Sequence, residues 1–376
     1  MACDSRSKRA PLAAGLAGVV VAETRLSQVD GECGRLTLRG IDIRELAENC
    51  GFEEVCALLW EGALPGPERA RALRRELGEA RVESFAQLSR VGAALEAASV
   101  MDALRGALAS LPEPQGDPAR VRTGITAAAA VFAAAWWCRQ RGRELPAPDP
   151  ASGHAADLLR LLRGAPAAPE AQRALDRYLL TVAEHGMNAS TFSARVVAST
   201  GSDALSAVVA ALGALKGPLH GGAPGPVLDM LEAIGEPAAA EQWIRAELAA
   251  GRRIMGLGHR VYRVRDPRAG ILEQEVARLE AAGLRSQTLG LARAVERVAI
   301  QVLAERYPGR SLATNVEFYT AVLLDALGLH RSLFTGIFAA ARSAGWLAHV
   351  EEQRADPRII RPRQRYVGPQ PAVASP

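Results

Sequence analysis

The sequence is poor in the residues that staple small or extracellular folds together. Its 376 residues include five cysteines, an odd number, with no C-x-x-C spacing and no histidine placed to complete a zinc site. This usage indicates free thiols in a reducing compartment, so we expect a cytoplasmic protein with no metal site. The cysteines are Cys3, Cys33, Cys50, Cys56 and Cys138.

Long apolar runs are missing as well. The longest nearly unbroken run, 124–138, is shorter than the roughly 18 residues that a membrane span needs, and alanine is its commonest residue. It predicts a buried helix, and we expect no transmembrane segment. A secretory leader is disfavoured because Asp4 interrupts the basic start and the apolar stretch at 12–22 has valines where a leucine-rich core is usual.

Neither sign of charge dominates the chain. Lys and Arg number 45 against 41 Asp and Glu, a net charge of +4 that is too dilute to indicate a nucleic-acid-binding surface. Apolar residues make up 49% and charged residues 23%, which excludes a disordered or low-complexity chain. The length allows roughly two to three globular domains.

Helical periodicity, by contrast, is abundant. In 203–215, Leu205, Val208 and Leu212 fall on one face, and Ser202 is the expected cap. Similar patterns predict helices at 43–50, 52–60, 68–81, 155–162, 172–183, 226–234, 238–250, 271–282, 289–306 and 333–346.

Strand signals are few. Only 18–24 and 35–39 look extended, and we expect them to form a small hairpin or paired edge. The predicted fold class is therefore all-α with a small β element near the N-terminus.

Three of the six histidines stand in unusual settings, and two of them, His220 and His259, have pairs of glycines beside them. His185 lies in E-H-G-M-N-A-S-T, His220 in K-G-P-L-H-G-G-A and His259 in G-L-G-H-R-V-Y. Glycine neighbours allow a ligand to approach the backbone closely, which core packing does not require. His220 also precedes a predicted helix start at 224–226, where the helix dipole lowers an imidazole pKa and favours a neutral hydrogen-bond donor.

These segments and several others follow one another in an order that resembles the citrate synthase family. The early part of the chain reads L-R-G-I-D-I-R-E-L-A-E-N-C-G-F-E-E-V-C-A-L-L-W-E-G-A-L-P. It is followed by H-G-M-N-A-S-T-F-S-A-R, G-P-L-H-G-G-A, G-L-G-H-R-V-Y-R-V-R-D-P-R, T-N-V-E-F-Y and R-S-A-G-W-L-A-H. Several motifs in the right order are far more specific than one, and the resemblance extends over 15–368.

The resemblance implies an almost entirely helical homodimer. A large domain would comprise 12–221 and 329–376, where the last segment forms a C-terminal arm, and a small domain would comprise 222–328. The active site would lie in the cleft between them. Gly217, Gly221 and Gly222 would act as hinge positions.

The activity implied is that of citrate synthase: acetyl-CoA, oxaloacetate and water give citrate and CoA through an enol, with no cofactor beyond the substrates. His220 would polarise the thioester carbonyl while Glu317 removes a methyl proton, and His259 would protonate the ketone oxygen of oxaloacetate. The chemistry explains the requirement, because a thioester α-carbon is a weak acid that needs a base and an oxyanion donor together.

The resemblance also assigns the residues that bind the substrates. Arg268, Arg342 and Arg361 match residues that hold the carboxylates of oxaloacetate, with help from His185. Arginine suits this role because its guanidinium pairs with a carboxylate through two parallel hydrogen bonds.

Two assignments concern the partner subunit and CoA. Arg361 would reach the neighbouring subunit's site, although its arginine-rich surroundings taken alone predict only a solvated charged tail. Arg263 and Arg310 sit where the family binds CoA phosphates.

The sequence departs from the family pattern at the proposed base. The family usually has aspartate where this chain has Glu317, and a misplacement of about 1 Å can cost about 100-fold in rate. In an alternative interpretation, Thr314 to Glu317 has the spacing of a capping box, in which the glutamate bonds back to the Thr314 amide. Gly186 and Pro224 are lesser departures, where the family commonly has an acidic residue and asparagine.

Two other functions stay open at this point. A 2-methylcitrate synthase using propionyl-CoA would share every residue named above, because one methyl group of pocket volume is worth only about 1–3 kcal/mol of discrimination. A non-catalytic homologue that binds a dicarboxylate or CoA would be consistent with Glu317.

Overall fold

The computed structural model describes residues 13–112, 116–221, 224–283, 288–356 and 358–369. Within these ranges it contains fifteen α-helices and one small sheet, so the predicted all-α fold class is confirmed. The helices are α1 (Ile43–Asn49), α2 (Phe52–Glu61), α3 (Pro67–Ala86), α4 (Val100–Ala109), α5 (Pro118–Gln140), α6 (His154–Arg163), α7 (Pro169–Val182), α8 (Ala189–Ala198), α9 (Ala204–Leu215), α10 (Pro224–Ile234), α11 (Ala240–Ala249), α12 (Pro267–Ala281), α13 (Thr288–Arg306), α14 (Val316–Ala326) and α15 (Phe334–Ala355).

The sheet has three antiparallel strands in the order β1 (Ser27–Asp30), β2 (Arg35–Leu38) and β3 (Ile41–Asp42). The prediction at 35–39 is confirmed, but the strand predicted at 18–24 is wrong. That segment forms no strand, and Val20 is 85% exposed. Its run of three valines does not alternate with polar residues, whereas Leu36 and Leu38 alternate and are fully buried.

Local signals fix where the helices begin. Pro67, Pro118, Pro169 and Pro267 each occupy a first helical turn, where the missing amide hydrogen costs nothing. Helix α9 is capped by Asp203, whose carboxylate accepts from the Ser206 amide, so the prediction of Ser202 as the cap is wrong by one residue.

The core is built around α5 and α15. Helix α5 is long and apolar enough to cross a membrane by length and composition, yet 78% of its apolar window is buried within the chain. It packs against α3, α4, α6 and α15, which confirms the buried helix predicted at 124–138. Helix α15 is buried almost continuously as far as Val350 and contacts α2, α7, α8 and α9 as well.

Helices α12 and α14 bring the later part of the chain onto this core. Both pack against α7, and they also pack against each other. Residues 12 and 222, at which the predicted domains begin, lie outside the described residues, and the division into two domains stays a prediction. Gly222 of the predicted hinge lies outside the described residues too.

The turn between β1 and β2 lies directly on the loop that precedes α12. The Arg263 amide donates to the Gly31 carbonyl oxygen at 2.8 Å, and a Cβ on Gly31 would overlap the Val261 carbonyl. Gly34 has a φ of +60°, and a Cβ there would lie 2.6 Å from the Val264 side chain. Cys33, in the same turn, is exposed. Glycine is therefore required on the hairpin side of this contact.

Candidate active site

Backbone hydrogen bonds join the segments that carry His259 and Glu317. The Gly258 amide donates to Ala313 O at 2.7 Å, and the Asn315 amide donates to Gly256 O at 3.0 Å. Gly256 has a φ of +75°, and a Cβ there would lie 2.8 Å from Phe318. The two glycines before His259 are predicted to let a ligand approach. At Gly256, the missing side chain instead allows the loop to pack against α14.

His259 has a defined proton position. Its Nδ1 accepts from the amides of Val261 at 2.9 Å and Tyr262 at 3.1 Å, so a neutral ring must carry its proton on Nε2. Burial, followed by the charge of Arg268, lowers the pKa of His259 to about 4. At neutral pH the residue is therefore a neutral imidazole with Nε2–H available as a donor.

His185 lies beside His259. Their ring centroids are 5.5 Å apart in an edge-to-face arrangement, and His185 Nε2 is 3.2 Å from the Tyr262 hydroxyl. Burial and then Arg268, Arg342 and His259 lower the pKa of His185 well below its ordinary value. Tyr262, the last residue of the G-L-G-H-R-V-Y motif, is buried and contacts both histidines, so it belongs to the site although no role is predicted for it from the sequence.

Arg268 and Arg342 are both buried, with 3% and 2% of their surfaces exposed. Arg268 donates through Nε and Nη2 to the two carboxylate oxygens of Asp266, at 3.0 and 2.8 Å. Arg342 donates through Nε to Val182 O at 2.6 Å, and its guanidinium lies over the Phe338 ring. Its terminal nitrogens have no hydrogen-bond partner among the described residues. Burial lowers the pKa of Arg342 to about 10. Of the two buried guanidinium groups, Arg268 is hydrogen-bonded to a carboxylate and Arg342 is not, so together they form a site suited to an anion.

Glu317 lies in the first turn of α14, which Asn315 caps by accepting the Glu317 amide at 3.0 Å. The capping-box interpretation is wrong, because this glutamate is not bonded to the Thr314 amide among the described residues, and Oε2 is buried without a partner there. Burial raises the pKa of Glu317 to about 7, against the opposing effect of Arg268 and Arg342. The carboxylate is thus free to accept a proton near neutral pH.

His220 follows α9 in a short turn, and its Nε2 lies 2.8 Å from Ser190 Oγ. Ser190 is buried at the start of α8, where its hydroxyl also accepts from the Trp346 indole at 3.2 Å. Burial, and then Arg342, lower the pKa of His220 to about 4. Helix α10 begins at Pro224, as predicted. The low pKa of His220 comes from burial and from Arg342, in place of the predicted helix dipole.

Six of the predicted site residues belong to one electrostatic cluster. Arg268 and Arg342 both act on Glu317 and on His185, while Arg342 acts on His220 and Arg268 on His259. Sequence reasoning missed Ser190, Tyr262 and Trp346, and the one available signal was their place inside the quoted motifs. Asp266, in D-P-R, was missed in the same way.

The other three predicted residues lie outside this cluster. Arg361 is exposed on the extended segment after α15. Arg263 and Arg310 are both exposed, and the Ser311 hydroxyl donates to the Arg263 carbonyl, so the two arginines share one rim of the protein. Arg263 lies 3.9 Å from the carboxylate of Glu32, and the Arg310 guanidinium lies 5.7 Å from the centroid of the Tyr307 ring.

His185, His259 and Asp266 place potential metal-ligand atoms within 4.8 Å of one another. Both Asp266 oxygens already accept from Arg268, and His259 Nδ1 already accepts from two amides. Neutral histidines beside two arginines therefore fit an anionic ligand better than a cation.

Comparisons with known proteins agree on one family. The family model described as citrate synthase, C-terminal domain, matches residues 15–363. A citrate synthase of Haloferax volcanii is 39% identical over 371 residues, covering 94% of this chain and 95% of that protein. The citrate synthase structure from Thermotoga maritima superposes with a TM-score of 0.85 at 34% identity, covering 97% of this chain and 98% of that one. A citrate synthase of Thermoplasma acidophilum, solved with carboxymethyl coenzyme A and oxaloacetate, gives a TM-score of 0.84 at 26% identity, again covering 97% and 98%.

Proposed function

The chain belongs to the citrate synthase family of condensing acyltransferases, and from this premise we propose that it joins acetyl-CoA to oxaloacetate to give citrate and CoA. The observation that carries the proposal is the position of Glu317, an unpaired carboxylate among neutral histidines and two buried arginines. The solved Thermoplasma relative that holds a CoA analogue and oxaloacetate supports the same pair of substrates.

Formation of the nucleophile needs a base and an oxyanion donor. Glu317 takes a proton from the methyl group of acetyl-CoA, and His220 gives a proton to the thioester oxygen, which makes the enol; His220 recovers this proton when the enol carbon attacks. Ser190 is hydrogen-bonded to His220 Nε2, so the nitrogen that faces the thioester in this proposal is Nδ1. Because the pKa of His220 is about 4, the imidazole stays neutral and adds no positive charge beside Arg342.

Carbon–carbon bond formation follows at the ketone of oxaloacetate. The enol carbon attacks the ketone carbon, and His259 gives its Nε2 proton to the ketone oxygen. Arg268 and Arg342 bind the two carboxylates, with His185 as a further donor. Water then hydrolyses the thioester of citryl-CoA, which releases citrate and the free thiol of CoA.

The proposal includes an assembly and a second binding surface. Arg263 and Arg310, on one exposed rim, bind CoA phosphates, and Arg361 completes the site of the partner subunit in a homodimer. The reaction takes place in the cytoplasm, in a cleft between the two predicted domains, and it uses no cofactor beyond the substrates.

The test is release of free thiol from acetyl-CoA, and in parallel from propionyl-CoA, with and without oxaloacetate. We expect oxaloacetate-dependent release that Glu317→Gln abolishes. Glu241→Gln, at an exposed residue of α11, is the control and should behave as the unaltered protein. Faster release from propionyl-CoA would instead indicate a 2-methylcitrate synthase.

A third result would overturn catalysis altogether. If neither thioester is cleaved while oxaloacetate still raises the melting temperature, the chain is a non-catalytic homologue that binds a dicarboxylate.

A further inference from the structure

A buried carboxylate next to the proposed oxaloacetate pocket has no part in the chemistry described above. Glu184 immediately precedes His185 and is fully buried. One of its oxygens, Oε1, accepts from three donors: Ser27 Oγ at 2.8 Å, the Gly186 amide at 2.5 Å and His349 Nε2 at 3.0 Å. These donors come from β1, from the turn after His185 and from α15, so the carboxylate joins three parts of the chain.

The proton on His349 is fixed by a second contact. Arg195 Nη1 lies 3.0 Å from His349 Nδ1, and since a guanidinium can only donate, Nδ1 must accept. With Nδ1 accepting, His349 donates through Nε2 to Glu184. Arg195 is anchored in turn by Gln353 at 3.0 Å and Glu352 at 2.7 Å.

Helix α15 docks on the segment 182–186 through three residues of one face. Arg342, Gly345 and His349 are spaced by three and four residues, which places them along one side of the helix. Arg342 bonds to Val182 O, and a Cβ on Gly345 would overlap Ala183 O and lie 2.6 Å from Glu184 Oε2. The position of Arg342 relative to His185 therefore depends on how closely α15 meets Glu184.

The turn at His185 depends on the same side chain. Gly186 has a φ of +64°, and its amide is held by the carboxylate two residues earlier. The hydrogen bond between the Glu184 carboxylate and the Gly186 amide thus spans His185 and holds the backbone on both sides of it. Glu184 also acts electrostatically on Arg342, where it opposes the lowering of the arginine pKa by burial.

We propose that Glu184, held by His349, is a positioning residue that sets the relative orientation of His185 and Arg342 for oxaloacetate binding. This inference rests on the proposed function, because it concerns the pocket assigned to oxaloacetate. Glu184 acts through its hydrogen bonds and does not touch the substrate itself.

The experiment compares Glu184→Ala with Glu184→Gln in the full chain. Alanine removes the acceptor, so the KM for oxaloacetate should rise about tenfold or more, with the KM for acetyl-CoA within about twofold of the unaltered value. Glutamine keeps an acceptor oxygen for the same three donors, and its KM for oxaloacetate should stay within about threefold. Equal losses in both variants would overturn the proposal.

Glu53→Ala is the matched control. Glu53 is also a buried carboxylate of the core, but its partners are the His154 amide and Arg74. The Glu53→Ala variant should have a lower melting temperature and an unchanged KM for oxaloacetate. An equal rise in KM for the Glu53 and Glu184 variants would mean a general loss of stability and would overturn the positioning role.

A second pair of variants applies if Glu184→Ala does not fold. His349→Ala removes the donor on α15, and His349→Gln restores a side-chain amide that can donate to Glu184. The alanine variant should raise the KM for oxaloacetate and the glutamine variant should rescue it, while a KM unchanged by alanine overturns the proposal.

Direct oxaloacetate binding by calorimetry separates this inference from the proposed function. If the unaltered protein binds oxaloacetate but releases no thiol, the catalytic proposal fails, and the binding affinities of the same variants still test the role of Glu184.

Discussion

The side-chain amide of Asn315 donates a 2.9 Å hydrogen bond to the carbonyl oxygen of Gly258. The other end of the same side chain accepts the Glu317 amide at 3.0 Å. One residue therefore links the start of the helix that carries the proposed base to the loop that carries the proposed ketone donor, His259. The spacing of these two groups is determined by this link together with the backbone bonds around it.

The rate should depend on the ionisation of Glu317. A base must be ionised to accept a proton, and burial raises the pKa of Glu317 to about 7. We expect kcat/KM for acetyl-CoA to fall about tenfold per pH unit below about pH 7. His220 and His259, with pKa values near 4, should add no further loss above about pH 5.5. Thiol release measured across this range would contradict the assignment if the profile were flat.

The same group should make the protein less stable at alkaline pH. Folding raises the pKa of Glu317 from 4.5 to about 7. When Glu317 is ionised, this shift lowers the free energy of unfolding by roughly 3 kcal/mol. As the pH falls, the folded protein takes up this proton near pH 7 and the unfolded chain does so only near pH 4.5. The penalty is therefore present at pH 8 and largely gone by about pH 5.

Glu317→Gln should therefore be more stable than the unaltered protein at pH 8, by up to about 3 kcal/mol, and by less than about 1 kcal/mol at pH 5. Urea unfolding at the two pH values measures the difference. An equal effect at both would show that the substitution acts through packing and not through charge.

Loss of the Ser190 hydroxyl should affect turnover more than binding. Ser190→Ala removes the partner of His220 Nε2, so we expect kcat to fall about tenfold or more, with the KM for oxaloacetate within about twofold. Ser193→Ala is the matched control, because this partly exposed serine lies on the same helix and its hydroxyl donates to Ala189 O, within one turn of that helix. Steady-state kinetics that do not distinguish the two variants would remove the role given to Ser190.

The hairpin contact should control the loop of His259. In Gly31→Ala the new methyl group overlaps the Val261 carbonyl, so the hairpin and the loop must separate. We expect kcat/KM for oxaloacetate to fall about tenfold. Gly66→Ala, where an added Cβ meets nothing within 4 Å, should stay within about twofold. Similar values for the two variants would show that the contact is dispensable.

Mixed dimers test whether Arg361 works in the partner's site. Glu317→Gln and Arg361→Ala should each be inactive alone. In a hybrid, one site combines an intact Glu317 with an intact Arg361 supplied by the other subunit. Random co-assembly should therefore restore about one quarter of the unaltered activity, whereas an arginine acting within its own subunit would restore none.

Sequence patterns predicted the helices with clear periodicity and drew attention to His185, His220 and His259. The resemblance to the family supplied Arg268, Arg342 and Glu317. The patterns missed α4, α8 and α14 as helices. Helix α8, A-S-T-F-S-A-R-V-V-A, is rich in serine, threonine and valine, which have modest helix propensity, so its packing against α9 and α15 is what stabilises it.

The hydrogen-bond partners of the site residues could not be predicted from the sequence, for a different reason. Ser190 meets His220, Trp346 meets Ser190, and Glu184 meets His349, and each pair is far apart in the chain. Periodicity describes the face of one element and not which distant element it will meet. The capping-box interpretation of 314–317 is wrong for the same reason. Thr314 pairs with the distant Leu257 in an isolated β-bridge, and Asn315 caps the helix instead.

The exposed thiol in the hairpin turn gives this protein a built-in reporter position. Cys50, Cys56 and Cys138 are buried, so Cys33 alone among the described cysteines is accessible to a maleimide dye. With Cys3 replaced by serine, a fluorophore on Cys33 would sit beside the loop of His259. Its emission would then follow, in real time and without any engineered cysteine, whether that loop leaves the hairpin between one turnover and the next.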